Sequence, residues 1–161
     1  MIVAPARGID EWEDKIQRSL ETSDIPETER TAIVQAHRGQ GLFKQRVLQF
    51  ERACRVTRVD NLVHLVGSHI KPWRDAGNAE RLDGANGLLL TPSIDHLFDR
   101  GFISFKNDGE LLISPVADRG SLEKMGVRGE GNVGGFSREQ LPYLEFHRDA
   151  VFLQARPRMD R

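Results

Sequence analysis

Three groups of polar residues stand within an otherwise apolar stretch of this sequence. They contain His69, Asn86 and the neighbouring pair Asp95-His96. A histidine side chain has an unperturbed pKa near ~6.5, so it can accept a proton at neutral pH. Carboxylate, amide oxygen and imidazole groups are ligands of divalent cations. The stretch therefore combines a candidate general base with candidate metal ligands.

The residues around these groups predict how they are positioned. Apolar runs rich in Val and Leu are typical of strands, Pro92 favours the start of a helix, and Gly101 favours its end in the left-handed conformation. The expected order is strand, loop, strand and helix, at residues 62–70, 71–85, 86–90 and 92–100. This order places His69 at the end of one strand and Asn86 at the start of the next.

The motifs of this stretch resemble those of the HNH endonuclease family, the ββα-metal nucleases. The matching segments read SHIKPW at 68–73, ERLD..NGLLL at 80–90 and D.LFDRG.ISF at 95–105. Further likeness is found in GQGLF at 39–43, CRVT at 54–57 and HR..VF at 147–152. The resemblance covers roughly residues 30–152 and rests on the ordered set of motifs rather than on any one of them.

The resemblance implies that the protein hydrolyses phosphodiester bonds with one bound divalent cation. It implies His69 as the general base that deprotonates a water molecule. Asn86 corresponds to the N of HNH, a role that is divided between metal ligation and positioning of the base. The implied cation is Mg²⁺ or Mn²⁺, with Zn²⁺ and Ni²⁺ as alternatives, and the implied substrate is DNA.

The third motif departs from the simple HNH pattern. Alignment on LFDRG places Asp95 at the metal-ligand position, with His96 one residue further on and Asp99 one helical turn away. As the metal ligand on this helix we favour Asp95 first, His96 second and Asp99 third. A second departure is Ser68, because many HNH proteins carry an acidic residue or histidine directly before the base. Either water completes the metal shell, as Mg²⁺ tolerates, or another carboxylate such as Asp83 replaces the missing ligand.

A basic stretch precedes these motifs. Residues 38–58 contain six basic residues and one acid. Such a stretch is either a solvated helix face or a surface that contacts phosphates, and phosphate contacts supply most sequence-independent affinity for nucleic acid. The candidate nucleic-acid-binding residues are Lys44, Arg46, Arg55 and Arg58, with Lys71 and Arg74 from the following loop.

Length and composition indicate an ordinary globular protein. The 161 residues suit a single domain, and the formal net charge of −1 provides no global attraction to a polyanion. The single cysteine excludes an internal disulfide and a four-cysteine zinc cluster. No apolar run is long enough to cross a membrane, and no signal peptide is recognisable. We expect a soluble cytoplasmic protein.

The expected fold is α+β, with a ββα-metal core at 62–101, N-terminal helices, an added β-hairpin and a C-terminal helix. Residues 1–29 form a helical extension in this interpretation, and residues 30–152 form the family-like region. The remaining expected elements are helices at 9–20, 27–37, 42–53 and 137–154, a hairpin of 103–105 with 111–113, and a flexible loop at 120–135.

Three functions from different classes are open at this point. The first is a metal-dependent endonuclease that cuts DNA, with a place in restriction or another defence system implied by the resemblance. The second is a catalytically weakened or inactive HNH-fold module that binds nucleic acid, a hypothesis motivated by Ser68. The third, a small-molecule hydrolase, is disfavoured because no nucleophile elbow appears. A homodimer and a separate specificity subunit both stay open.

Overall fold

The first described element is one long helix where the sequence predicted two. The computed structural model describes residues 26–129 and 131–155, and the helix predicted at 9–20 lies outside them. Helix α1 (Glu27–Val47) runs without a break through Gly39, so the predicted end near Gly39 and the separate helix at 42–53 are wrong. A helical glycine costs ~1 kcal/mol relative to alanine. Burial of Phe43 and Val47 in the core offsets that cost.

An antiparallel hairpin packs against α1. Its strands are β1 (Val66–His69) and β2 (Gly87–Leu90), and His69 pairs with Gly87. The first strand is shorter than predicted, because Leu62–His64 forms a turn of 3₁₀-helix. Strand β2 is buried along its whole length between α1 and the helix that follows it, which explains its unbroken apolar sequence.

Gly87 allows this hairpin to approach α1 closely. A Cβ atom at this position would lie 2.3 Å from Cγ2 of Val47 and 2.7 Å from Cζ of Phe43. Since real Cβ atoms do not approach other atoms so closely, only glycine fits here. The absence of a side chain at Gly87 thus lets Phe43 lie beneath the end of β1, where His69 is found.

The connection between β1 and β2 was predicted as an irregular loop, but it is largely ordered. It contains turns of 3₁₀-helix at Trp73–Asp75 and Gly84–Asn86 and a short helix α2 (Asn78–Leu82). We refer to residues 71–86 as the site loop. It is followed by β2 and then by helix α3 (Pro92–Asp99). Gly101 ends α3 with φ +79°, as its sequence position predicted.

The second half of the described chain adds another hairpin and two short helices. Strands β3 (Ile103–Phe105) and β4 (Leu111–Ile113) pair antiparallel, which confirms the predicted hairpin. Helix α4 (Arg119–Lys124) lies in the segment that was predicted to be loop, so that prediction is wrong at its start. The predicted final helix is shorter than expected, with α5 (Leu141–Phe146) followed by a turn of π-helix at His147–Val151.

One hydrophobic cluster connects these elements. Its fully buried members include Phe43 from α1, Leu89 from β2, Phe98 from α3, Phe105 from β3 and Leu144 from α5. The two sheets remain separate two-stranded hairpins, with helices packed around them. The α+β class predicted from the sequence is confirmed. Within residues 26–129 and 131–155, no helix has the length and apolar character needed to cross a membrane.

Candidate active site

His69 occupies the end of β1, where its ring is held from several sides. One face stacks on the ring of Phe43, with centroids 3.7 Å apart and an interplanar angle of 5°. Trp73 contacts it edge to face, at a centroid distance of 5.8 Å. The Nε2 atom lies 2.8 Å from the backbone carbonyl oxygen of Arg81 in the site loop. The imidazole therefore has a fixed orientation but remains partly open to solvent.

In this environment, the other ring nitrogen of His69, Nδ1, can accept a proton. A carbonyl oxygen only accepts hydrogen bonds, so Nε2 carries the proton and Nδ1 of the neutral ring carries a free lone pair. Burial lowers the pKa of His69 below its ordinary value, the Arg81 carbonyl opposes this change, and the positive charge of the Arg81 guanidinium adds to it. The ring is consequently neutral at neutral pH.

Asn86 holds the site loop through hydrogen bonds with the backbone. Its Oδ1 accepts from the amide of Lys71 at 2.7 Å, and its Nδ2 donates to the carbonyl oxygens of Lys71 at 3.3 Å and Glu80 at 3.1 Å. The side chain is fully buried. Since its oxygen and both amide hydrogens are engaged in this way, the geometry supports a positioning role for Asn86 over metal ligation.

The site loop is also attached to α5. The hydroxyl of Tyr143 donates to Oδ2 of Asp83 at 2.6 Å, while Oδ1 of Asp83 accepts from the amide of Ala85 at 2.9 Å. Burial, followed by the Asp83 contact, raises the pKa of Tyr143 far above its usual value. Asp83, considered as a substitute metal ligand, is thus engaged in fixing the turn before Asn86.

Asp95 lies in the first turn of α3, beside Ser68 of β1. Burial raises the pKa of the Asp95 carboxyl, the Ser68 hydroxyl lowers it, and the negative charge of Asp99 raises it further. Neither carboxylate forms an ion pair with any residue in the ranges 26–129 and 131–155. His96 and Asp99 are both exposed. The result is a half-buried carboxyl group in a locally negative environment.

Ser68 and His69 are the last two residues of β1, and they lie beside different helices. The Ser68 side chain meets Asp95 of α3, whereas the His69 ring packs on Phe43 of α1. Ser68 is thus close enough to Asp95 to lower the pKa of its carboxyl. In the described part of the chain, no cluster of three or more His, Cys, Asp or Glu side chains is arranged to hold a metal ion.

The predicted nucleic-acid-binding residues fall into two groups. The charged ends of two of them are engaged inside the fold. The ammonium group of Lys44 donates to the carbonyl oxygens of Leu62 and Leu65. The guanidinium of Arg55 pairs with Glu51 and donates to the carbonyl of Gly134. Neither group is free to contact a phosphate.

The other four predicted residues are more accessible. Lys71 pairs with Glu80 at 3.0 Å and retains some exposure, while Arg46 donates to the carbonyl of Leu82. Arg58 is exposed, and the Arg74 side chain is 79% exposed and only weakly paired with Asp75. The prediction of a phosphate-contacting surface is thereby narrowed to Arg46, Arg58, Lys71 and Arg74.

Sequence reasoning missed one residue next to His69. Arg81 supplies the carbonyl that orients the imidazole, and its guanidinium lies 4.3 Å from the ring centroid of Trp73. Trp73, the last residue of the SHIKPW motif, is 53% exposed. The only available signal was the ERLD motif, which does not reveal what the arginine contacts.

Comparison with known proteins bears on the segment that contains the site. Residues 54–106 match the family model described as HNH endonuclease. The match confirms the resemblance over this segment. The HNH segment includes β1, the site loop, β2, α3 and β3, and so contains His69, Asn86 and Asp95. Enzymes of this family hydrolyse phosphodiester bonds. The match is shorter than the resemblance at residues 30–152 expected from the motifs.

Comparison with solved structures finds a modification-dependent TagI restriction endonuclease. It shares 20% sequence identity with this chain at a TM-score of 0.39. The similar region covers 71% of this chain and 36% of that one, so the chain spans about a third of the other protein's length. Such a low structural similarity carries no conclusion about this chain. Among curated proteins, no significant match is found.

Proposed function

We propose that this protein is a metal-dependent endonuclease that hydrolyses DNA phosphodiester bonds, with His69 as the general base. The observation that carries the proposal is the state of the His69 ring. Its Nε2–H donates to the Arg81 carbonyl, and its Nδ1 has no hydrogen-bond partner among residues 26–129 and 131–155. A partly exposed, neutral imidazole of fixed orientation is what activation of a water molecule requires.

In the proposed reaction, His69 removes a proton from a water molecule through Nδ1 while the oxygen of that water attacks the phosphorus atom. The proton that passes to Nδ1 makes the ring cationic. The Arg81 carbonyl stabilises this cation because it already accepts the Nε2–H hydrogen bond. Asn86 maintains the site loop that supplies this carbonyl. The P–O bond to the leaving oxygen then breaks.

The residues near Asp95 fit a hard divalent cation that is held by few protein groups. The unpaired, half-buried carboxyl of Asp95 has its pKa raised by burial and by Asp99, and a cation would relieve both penalties. Asp95 would hold the ion, with the Ser68 hydroxyl and either His96 or Asp99 nearby and water completing its shell, as Mg²⁺ or Mn²⁺ accepts. Bound there, the cation supplies positive charge to the phosphate oxygens.

A supercoiled-plasmid assay tests this proposal. The wild-type protein should nick or cut the plasmid with Mg²⁺ or Mn²⁺ and be inactive in EDTA. His69→Ala should lower the rate ~100- to 10,000-fold, the usual contribution of a general base. His64→Ala is a matched control, because His64 is exposed and lies in the turn before β1. Full activity of His69→Ala would refute the assignment of the base.

One observation favours a second function, an HNH-fold module that binds nucleic acid without cutting it. The residue before the base is the neutral Ser68, and no cluster of three metal-ligating side chains is found in residues 26–129 and 131–155. This function predicts salt-sensitive DNA binding that is independent of divalent cations, and no cleavage. The plasmid assay, combined with a binding titration at several salt concentrations, separates the two functions.

We infer a role in restriction or a related defence against foreign DNA from the family resemblance alone. The resemblance supports DNA as the substrate. Arg46, Lys71 and Arg74 supply positive charge in or beside the site loop, and Arg58 is a further exposed cation. A homodimer or a separate specificity subunit would provide target selection. Sedimentation of the full chain with and without a short DNA duplex tests the homodimer.

A further inference from the structure

We infer that the Arg81 side chain binds the phosphate group that is cleaved, and that Trp73 is the positioning residue that holds its guanidinium for this purpose. This inference rests on the proposed nuclease function and assigns a role to two residues that the proposed mechanism leaves without one. It follows from the contacts of Arg81, from the exposure of Trp73 and from the charge around His69.

The first observation is that Arg81 reaches His69 in two ways. Its backbone carbonyl accepts from Nε2 of His69 at 2.8 Å, so the chain at residue 81 is fixed next to the candidate base. Its guanidinium also lies close enough to lower the pKa of His69 by charge repulsion. A phosphate whose attacking water contacts Nδ1 of His69 must approach this same region, where a positive charge is already in place.

The second observation is that the guanidinium is held in place by its own contacts. Its Nε donates to the carbonyl oxygen of Trp73 at 3.1 Å, and its plane lies over the Trp73 ring at 4.3 Å. In the described part of the chain, its two Nη groups have no hydrogen-bond partner. An arginine presents its donors in a planar fork that matches two phosphate oxygens. Stacking on Trp73 leaves this fork available for such an anion.

The third observation is the position of Trp73 between the two functional groups. Its ring contacts the His69 ring edge to face and the Arg81 guanidinium through its π face, although more than half of Trp73 is exposed. Here it fixes the distance between the base and the guanidinium.

The local charge balance makes such a cation useful. Ser68 replaces the acidic group that many HNH proteins carry beside the base, so fewer protein groups would hold a bound metal. A guanidinium on the other side of His69 would neutralise part of the charge that develops on the phosphate oxygens. Removing one such preorganised donor in other enzymes typically lowers the rate by a factor of ~100 to 1,000.

Two measurements on the full chain test the inference. The first is binding of a short DNA duplex in metal-free buffer at a series of salt concentrations. Arg81→Ala should reduce the slope of log affinity against log salt concentration by ~0.9, the value for the loss of one phosphate contact. Arg128→Ala is the matched control, since it removes an exposed charge outside the site and should leave both the slope and the cleavage rate unchanged.

The second measurement is the single-turnover cleavage rate with Mg²⁺ at saturating protein. Arg81→Ala should be slower by ~100-fold, Arg81→Lys should recover part of the rate, and added guanidinium ion should partly restore Arg81→Ala. Trp73→Phe should stay within a few-fold of wild type, and Trp73→Ala should lower the rate while it retains most of the salt slope. All these variants keep the backbone carbonyl that orients His69.

The outcomes distinguish this inference from the proposed function. An unchanged salt slope and an unchanged rate in Arg81→Ala would overturn the inference, even if His69→Ala is inactive. An unchanged slope with a lower rate that neither Arg81→Lys nor guanidinium restores would also overturn it, because the arginine would then be only structural. If the wild-type protein binds DNA but does not cut it, the nuclease proposal fails, and the slope alone decides whether Arg81 contacts a phosphate.

Discussion

Among residues 26–129 and 131–155, two histidines stack on a phenylalanine, and they differ in the hydrogen bonding of one ring nitrogen. His69 lies on Phe43 at 3.7 Å and His147 on Phe98 at 3.8 Å, both nearly parallel. In each ring, Nε2 is 2.8 Å from a backbone carbonyl oxygen, of Arg81 or of Phe98. The same local geometry therefore occurs at the end of β1 and in the π-helical turn after α5.

The two histidines differ in the contacts of the other ring nitrogen, Nδ1. Nδ1 of His147 accepts a hydrogen bond from the Ser104 hydroxyl at 2.8 Å, and the ring is almost completely buried. Nδ1 of His69 has no partner within residues 26–129 and 131–155, and its ring is partly exposed. Burial lowers the pKa of both, for His147 to about 4. A histidine with both ring nitrogens hydrogen-bonded has no nitrogen available for a proton, whereas an unbonded nitrogen near solvent can accept one.

The largest expected difference between the two sites is in catalysis. Substitution of His69 by glutamine should lower the rate of plasmid cleavage ~100- to 10,000-fold, because the amide cannot take up the proton of the attacking water. His147→Gln should stay within a few-fold of wild type when the rate is expressed per folded molecule, as measured by circular dichroism of the same sample. Similar losses in both variants would remove the distinction.

The second difference is in the pH dependence of stability. In the folded state the pKa of His147 is about 4, whereas in the unfolded chain it is near ~6.5. Between these values the unfolded state binds a proton that the folded state does not, so the free energy of unfolding decreases as the pH falls. The contribution is fully present above pH ~6.5 and amounts to about 3 kcal/mol across the window.

Urea denaturation at several pH values measures this effect. The wild-type protein should lose stability between pH ~6.5 and pH ~4 by more than His147→Gln does, since glutamine does not titrate there. The difference between the two proteins isolates the His147 contribution from that of the carboxyl groups. Parallel stability curves for the two proteins would show that His147 is not held neutral by its surroundings.

The third test concerns the site loop. The loop supplies the Arg81 carbonyl that orients His69, whereas His147 uses the carbonyl of Phe98 in α3. Asn86→Ala removes three hydrogen bonds to backbone groups and should lower the free energy of unfolding by ~1 to 3 kcal/mol. The ring ¹⁵N shifts of His69 should change from a single Nε2–H tautomer to a mixture. Those of His147 should stay the same and thus provide an internal control. A change at both histidines would mean that the two sites are not independent.

The smallest expected effect is at the one hydrogen bond that joins the site loop to α5. Tyr143→Phe removes the contact with Asp83 and should cost about 1 kcal/mol, because the bond is charge-assisted but partly exposed. Thermal unfolding measures the loss. Cleavage should be slowed only a few-fold, since Asp83 still accepts from Ala85. A loss as large as that of His69→Gln would make Tyr143 a member of the catalytic group.

The sequence predicted the ββα core more accurately than its surroundings. Pro92 and Gly101 define helix α3 through local backbone chemistry, and an Asp-Gly pair defines the β3–β4 hairpin, so both were predicted correctly. Gly39 indicated a helix end that does not occur. Its cost is local and small, whereas the packing of Phe43 and Val47 that overcomes it depends on distant residues.

The candidate site was predictable in residue type but not in contacts. His69, Asn86 and Asp95 are candidates through the motif resemblance, which is a prediction of residue type alone. Lys44 donates to the carbonyls of Leu62 and Leu65, and Arg55 pairs with the nearby Glu51 and donates to the distant carbonyl of Gly134. The sequence therefore indicated a phosphate surface where the structure has internal hydrogen bonds. Arg81 was missed for the same reason. Its backbone carbonyl contacts His69 and its guanidinium stacks on Trp73, and neither contact can be predicted from the sequence.

The pair Asn86-Gly87 has a consequence for the chemical lifetime of the protein. An asparagine before glycine readily loses its amide nitrogen, because the unhindered glycine nitrogen can attack the side-chain carbonyl and form a cyclic imide. In the native fold this side chain is fully buried and immobilised, which protects it. Each visit to the unfolded state removes the protection. The aspartate that results would direct negative oxygens at the carbonyls of Lys71 and Glu80, so an aged chain could not rebuild the loop.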